Sequence, residues 1–290
     1  MKSVPFATQV SLWHNTPRVC SKLGFSLPLG VRMRESVPII EIRDVVKDFG
    51  GLRAVNRCSF QVRQGTITGL IGPNGAGKTT VFNLITGFLR CTSGQILSGG
   101  KRIDGLPPHK IFRKGIVRTF QIPRELKRMT VLENLMVVPS EQAGERIWTS
   151  WLLPWQVKRQ EQEIEARAVE VLRFMNLLDL KDEYAGNLSS GQKKLLELAR
   201  TLMAEPQLVL LDEPGAGVNP TLMNQLIEYI RRSCAEKHLT FLIIEHDMDL
   251  VMRLCNPIIV MSNGENIAEG PPREVQQNQR VLEAYLGGPA

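Results

Sequence analysis

At 290 residues the chain can bury one large α/β core with an inserted lobe, while two full domains exceed its length. Its formal charge of +7 is no nucleic-acid signature: residues 1–34 hold five basic residues (Lys2, Arg18, Lys22, Arg32, Arg34) and no acid, leaving 31 basic against 29 acidic residues elsewhere. The five cysteines (Cys20, Cys58, Cys91, Cys234, Cys255) are odd in number and scattered, with no Cys-x-x-Cys pair, which points to a reducing, intracellular compartment.

Residues 1–32 scatter Pro5, Pro17 and Pro28 among polar and apolar positions with no sustained period, so they have little means of forming a core element. Residues 1–37 are therefore expected to be an extension, disordered or untranslated, with Met33 a candidate initiator. A secretory leader is disfavoured because Pro28 and two glycines interrupt Leu23 to Val31, and five spread charges make a weak lipid anchor. Pro38 to Ile42 then reads as a strand, Gly50-Gly51 as a turn, and Cys58 to Val62 as a second alternating strand. Thr66 to Ile71 is an apolar strand running into a glycine loop, with a helix expected from Thr79 to about Leu89.

From Met129 to Met203 the pattern is helical, most clearly over Gln156 to Met175, where Ile164, Ala168, Val171, Leu172 and Met175 recur at three- and four-residue spacing. Strands at Leu208–Leu211, Thr240–Ile244 and Ile258–Met261 alternate with helices at Pro220–Ala235 and Met248–Cys255, which implies a largely parallel sheet. The longest apolar runs have strand length, far below the roughly 18 residues of a membrane helix.

Gly72-Pro73-Asn74-Gly75-Ala76-Gly77-Lys78-Thr79 matches the P-loop pattern in the context the motif needs, between strand and helix. Its glycines let backbone N–H groups converge on phosphates at a helix N-terminus; Lys78 supplies charge to the β- and γ-phosphates, Thr79 a hydroxyl to Mg²⁺, and Thr80 reaches toward the α-phosphate. Asp212 and Glu213 end a buried strand, Asp212 placed to hold the metal through water and Glu213 to polarise the attacking water as general base. Taken alone, such a pair reads equally well as solvated loop residues; the upstream P-loop makes it the expected partner. These motifs give the fold class: α/β, a P-loop NTPase core with a mostly parallel sheet, an antiparallel β subdomain and an inserted helical subdomain over about 122–205.

Leu188-Ser189-Ser190-Gly191-Gln192 opens an apolar-faced helix just upstream of the acidic strand and resembles the signature sequence of the ATP-binding cassette family. A serine and backbone N–H groups at a helix start form an anion site, although Ser189 read by itself is a helix cap. Ser190 stands where the family more often has glycine. The resemblance implies the remaining site residues: Gln121, after Arg118-Thr119-Phe120, as the catalytic and metal-facing residue of the glutamine loop, His246 as the switch histidine, and Phe49 as the aromatic under adenine, with a satellite-core role as its alternative. Gly215 to Asn219 resembles the loop that crosses the dimer interface, with Asn219 where many members carry Asp.

Asp48 to Val55, Thr80 to Gly87, Ile244 to Met248 and Ala284 to Gly287 are similar to the ATPase subunits of branched-chain and neutral amino acid importers, so the resemblance covers residues 38–287. It implies ATP hydrolysis with Mg²⁺ in a head-to-tail dimer with a second, related ATPase or a second copy. Two transmembrane permease subunits and an indirectly coupled solute-binding protein complete the implied machine, at the cytoplasmic face of the plasma membrane and with no nucleic acid. Trp148, Trp151, Leu152 and Trp155 extend the helical lobe and are expected to pack in its core, with contact to a partner as the alternative. A urea importer ATPase is the alternative within the subfamily. Soluble repair and translation ATPases would need a long coiled coil or a second cassette, and a nucleotide sensor would lack Glu213 or His246.

Overall fold

The computed structural model describes residues 37–119, 125–139 and 154–286. The expectations for residues 1–36, Gln121, Trp148, Trp151 and Leu152 lie outside them. The described chain opens with a hairpin, β1 (Ile40–Phe49) and β2 (Leu52–Val62). Next, β3 (Ile67–Ile71) runs through the glycine loop into α1 (Lys78–Ile85), followed by β4 (Ser93–Ser98), β5 (Lys101–Arg102), α2 (Pro108–Phe112) and β6 (Ile116–Arg118). A helical stretch holds α3 (Val131–Met136), α4 (Pro154–Phe174) and α5 (Ser190–Met203). Strand and helix then alternate as β7 (Leu208–Asp212), α6 (Pro220–Lys237), β8 (Thr240–Ile244), α7 (Met248–Leu254) and β9 (Ile258–Ser262), closing with β10 (Glu265–Gly270), α8 (Pro272–Gln277) and α9 (Gln279–Leu286).

Two sheets result. One is antiparallel in the order β2-β1-β4-β5; the other has the order β10-β9-β3-β8-β7-β6, parallel except for β10. The sequence expectation of a mostly parallel core sheet with an antiparallel β subdomain agrees with this. Both faces of the parallel sheet are covered, and the period of two sorts its side chains. Val209 and Leu211 of β7, Phe241 and Ile243 of β8, and Ile258 and Val260 of β9 pack with the helices α4 to α7. Their neighbours Leu208, Leu210, Leu242, Ile244, Ile259 and Met261 pack with α1 and the antiparallel sheet. Strands buried on both faces read as unbroken apolar runs, which is why they were legible without alternation.

Local chemistry moved several boundaries. Helix α1 stops at Ile85, short of the expected Leu89, because Gly87 turns left-handed at φ 76° and a Cβ there would lie 2.3 Å from the Leu106 carbonyl. Strand β1 runs on to Phe49, its alternation hidden by register shifts between Ile42 and Val45 and again near Lys47. The short β5 and β6 and the weakly patterned β4 and β10 carry no periodic signal. Trp155 departs from the expected core packing: it is 64% exposed, about two and a half turns of 3.6 residues from Ile164 and so on the face of α4 opposite the buried stripe. No helix among the described residues is long and apolar enough to cross a membrane.

Candidate functional site

The carboxyl ends of three neighbouring parallel strands converge. β8 lies between β3 and β7, with Ile244 paired to Leu70 on one side and to Asp212 on the other. The glycine loop leaves β3, the acidic pair ends β7 and His246 follows β8, so residues distant in sequence meet at one sheet edge, where open α/β sheets bind ligands.

The loop from Gly72 to Gly77 is made possible by its glycines. Gly72, Gly75 and Gly77 have φ of 150°, 80° and 96°, and a Cβ on Gly72 or Gly77 would lie 2.1 Å from the Met261 carbonyl or 2.5 Å from that of Ala54. Ala76 is buried, while Asn74 and Gly75 are exposed at the loop tip. Gly77 is the left-handed N-cap of α1 and has no side chain to cap it, which leaves the first helical N–H groups for an anion. The buried Lys78 donates to the carbonyls of Gly72 (2.8 Å) and Pro73 (3.0 Å). Burial lowers its pKa, and the negative charges of Glu213 and Asp212 act in the opposite direction. A desolvated ammonium held against its own loop by neutral carbonyls fits a polyphosphate. Thr79 and Thr80 follow on α1, exposed and half-buried.

Asp212 is buried and forms an ion pair with Arg118, Nη2 to Oδ2 at 2.7 Å. The same guanidinium donates to Asn83 Oδ1 of α1 at 2.6 Å and lies over the Phe82 ring. Arg118 thus ties β6, β7 and α1 together at the site, a role that its place in the flank of Gln121 did not reveal. Glu213 adopts φ 51°, the left-handed region that non-glycine residues rarely occupy, and its N–H donates to the Ile244 carbonyl at 2.9 Å. Its Oε1 lies 3.3 Å from His246 Nε2, so two expected site residues meet directly. Among the described residues no group of three or more His, Cys, Asp or Glu side chains could hold a metal. One carboxylate and one hydroxyl are nonetheless a donor set suited to a Mg²⁺ ion that keeps phosphate and water ligands.

Ser189 is the N-cap of α5 in a reciprocal capping box: the Gln192 N–H donates to Ser189 Oγ at 3.3 Å and the Ser189 N–H to Gln192 Oε1 at 2.9 Å. Such a cap contributes about 1 kcal/mol to the helix. Ser190 is exposed, whereas Gly191 is buried and a Cβ on it would lie 2.0 Å from Leu222 Cδ1. Asn219 caps α6, its Oδ1 accepting from the Leu222 N–H at 2.9 Å, a bond that an Asp there would make as well. Phe49 is 45% exposed at the tip of the first hairpin, so it is not a core residue, and the Lys47 ammonium lies over its ring 5.0 Å from the centre. No hydrogen bond or ion pair among the described residues joins Ser189 to Gln192 with the glycine loop.

A family model described as ABC transporter matches residues 55–216. The chain belongs to the ABC transporter family. This cassette is also matched over residues 265–290 by a model described as branched-chain amino acid ATP-binding cassette transporter. It is 46% identical over 249 residues to the probable branched-chain amino acid transport ATP-binding protein LivG of Archaeoglobus fulgidus, covering 86% of this chain and 95% of that protein. Identity is 42% to the high-affinity branched-chain amino acid transport ATP-binding protein BraF of Pseudomonas aeruginosa, covering 87% of this chain and 99% of the relative. Among solved structures, a nucleotide-free ATP-binding cassette from an ABC transporter superposes with a TM-score of 0.74 at 39% identity, covering 86% of this chain and 98% of the other. A cassette in its ADP conformation gives 0.73 at 38% identity, with 86% and 99% covered.

The cassette therefore binds ATP and hydrolyses it as the ATPase subunit of an ABC transporter. Three polar residues that structure it were missed in the sequence: Arg118, Lys194 and Glu245. Glu245 is 3% exposed, and burial pushes its carboxyl pKa up, an effect that backbone N–H groups of Gly215, His246 and Asp247 oppose. A charged residue directly after the four buried apolar residues Phe241–Ile244 was the available signal, since a buried carboxylate must find donors.

Proposed function

We propose that this chain energises uptake of branched-chain or neutral amino acids from the cytoplasmic face of the plasma membrane. It works as one of two ATPase subunits docked on two permease subunits, with a solute-binding protein coupled indirectly. The observation that carries the cargo class is the match of the C-terminal residues 265–290 to the branched-chain amino acid cassette model, and the names of the full-length relatives support it. In this reading residues 38–287 form the cassette, with the helical subdomain over about 122–205.

Adenine stacks on Phe49, the phosphates lie on the N–H groups of Gly72 to Thr80, and Lys78 faces the β- and γ-phosphates. Thr79, Gln121 and, through water, Asp212 would hold Mg²⁺, which would screen phosphate charge. Glu213 accepts the proton of the attacking water, and His246 contacts the γ-phosphate and orients Glu213 across their 3.3 Å contact. Ser189, Ser190, Gly191 and Gln192 serve the ATP site of the facing subunit. ATP closes the dimer, and binding energy drives a domain motion rather than a reaction on the cargo.

Uptake of radiolabelled solutes by a strain lacking this subunit tests the cargo. Leucine, alanine or proline uptake should fall, with recovery on re-expression. Unchanged amino acid uptake with lost urea uptake would assign the chain to a urea importer instead. The shared site has its own test: Ser189→Arg in the assembled complex should empty or silence the ATP site whose P-loop belongs to the other subunit, read as nucleotide occupancy site by site. Loss confined to the site that contains this chain's Lys78 would overturn the head-to-tail arrangement.

A further inference from the structure

Glu213 is held in an uncommon backbone conformation, and a left-handed non-glycine residue at φ 51° persists only where its surroundings over-determine it. On its N-terminal side the constraint is the ladder bond from the Glu213 N–H to the Ile244 carbonyl. On its C-terminal side two charged side chains grip the next three residues. Glu245, buried one residue beyond β8, accepts at Oε1 from the Gly215 N–H at 2.6 Å, and at Oε2 from the His246 N–H at 3.0 Å and the Asp247 N–H at 3.5 Å. From the opposite direction Lys194 of α5 donates to the Pro214 carbonyl at 3.1 Å and to the Ala216 carbonyl. The fit is close: a Cβ on Gly215 would lie 2.8 Å from Glu245 Oε1 and 2.7 Å from Met223 Cε.

We propose that Glu245 and Lys194 form a clasp on residues 214–216 that fixes the backbone of Glu213, and so are positioning residues that set the Glu213 carboxylate relative to His246. One carboxylate holds the backbone on both sides of the gap, since the loop after Glu213 and the turn carrying His246 both donate to it. If the clasp is lost, Glu213 can relax toward ordinary φ and carry its carboxylate off the attacking water, while the P-loop stays intact. Lys194 stands in the helix opened by Ser189, so the helix that serves the facing subunit's ATP also steadies this subunit's own base. The inference rests on the reading of Glu213 as general base.

The test uses the assembled transporter. Glu245→Gln presents an NH₂ group to backbone donors and loses at least one of the three bonds. It should lower kcat about tenfold or more, since misplacement of a reacting group by about 1 Å costs up to about 100-fold. The KM for ATP and equilibrium nucleotide binding should stay within about twofold of wild type, while vanadate trapping of nucleotide falls with kcat. Lys194→Met, at a half-buried position, should show the same split, and Lys194→Arg, which keeps its donors, should recover most of the loss. The double variant should be no slower than Glu245→Gln alone, because both act through one loop. Unchanged kcat in both single variants, additive losses, or a fall of ATP affinity and thermal stability in step with kcat would overturn the clasp. Glu213→Gln in the same preparation separates the two readings: turnover surviving in that variant removes the base and the clasp together, whereas turnover abolished there but normal in Glu245→Gln removes the clasp alone.

Discussion

Glu213→Gln should bind ATP and all but cease to hydrolyse it, losing about two to four orders of magnitude in kcat, the range that general-base catalysis supplies. The amide is nearly isosteric, can still bond to His246 across the present 3.3 Å and leaves the bond from its own N–H to Ile244 untouched, so neither fold nor nucleotide site should suffer. What disappears is the capacity to take a proton from water. With hydrolysis blocked and binding intact, ATP should accumulate between two closed subunits, seen as a stable dimer by size-exclusion chromatography and as occluded nucleotide. Turnover near the wild-type rate in the assembled transporter would remove Glu213 from the role of base.

The second large effect is steric and concerns the P-loop. Gly72→Ala places a methyl group 2.1 Å from the Met261 carbonyl of β9, a backbone atom in a strand paired with β3 on one side and, at Met261 itself, with Asn266 of β10 on the other. Relief requires β3 to part from β9 or the loop to turn, and either displaces the N–H groups meant for phosphate. A loss of about 3 kcal/mol or more is expected, the class of effect produced by overpacking combined with a forced backbone. For a chain of this size that corresponds to a fall in Tm of about 5 °C or more, with ATP binding lost.

Gly75→Ala is the control. It shares a positive φ, 80°, but meets nothing within 4 Å, so only the conformational cost of about 1–2 kcal/mol applies. Differential scanning calorimetry and titration with a fluorescent ATP analogue read both variants. Equal stability of the two would show that the Met261 carbonyl does not constrain the loop.

Part of this protein is decided by sequence alone. The P-loop is a contiguous motif whose function depends on local backbone freedom, so Gly72 to Thr79 could be assigned before any fold was known. The buried strands β7, β8 and β9 were legible because a sheet covered on both faces demands uninterrupted apolar residues. The capping role of Ser189 is likewise local, a matter of one side chain and the N–H three residues on.

What the tertiary structure decided are the contacts between segments that no spacing records. Arg118 meets Asp212 across 94 residues and Glu245 meets Gly215 across 30, and in sequence each is an unremarkable charge beside a better-known motif. The left-handed conformation of Glu213 has no residue signature; it comes with contacts on both sides, from Ile244 before it and from Glu245 and Lys194 after it. Trp155 shows the same limit from the other direction: core packing was the expectation, but the phase of α4 turned it to the face opposite the buried stripe. Local chemistry marks the residues suited to an anion, and the order in which the parallel strands pair brings the two carboxylates and the histidine to the same end of the sheet.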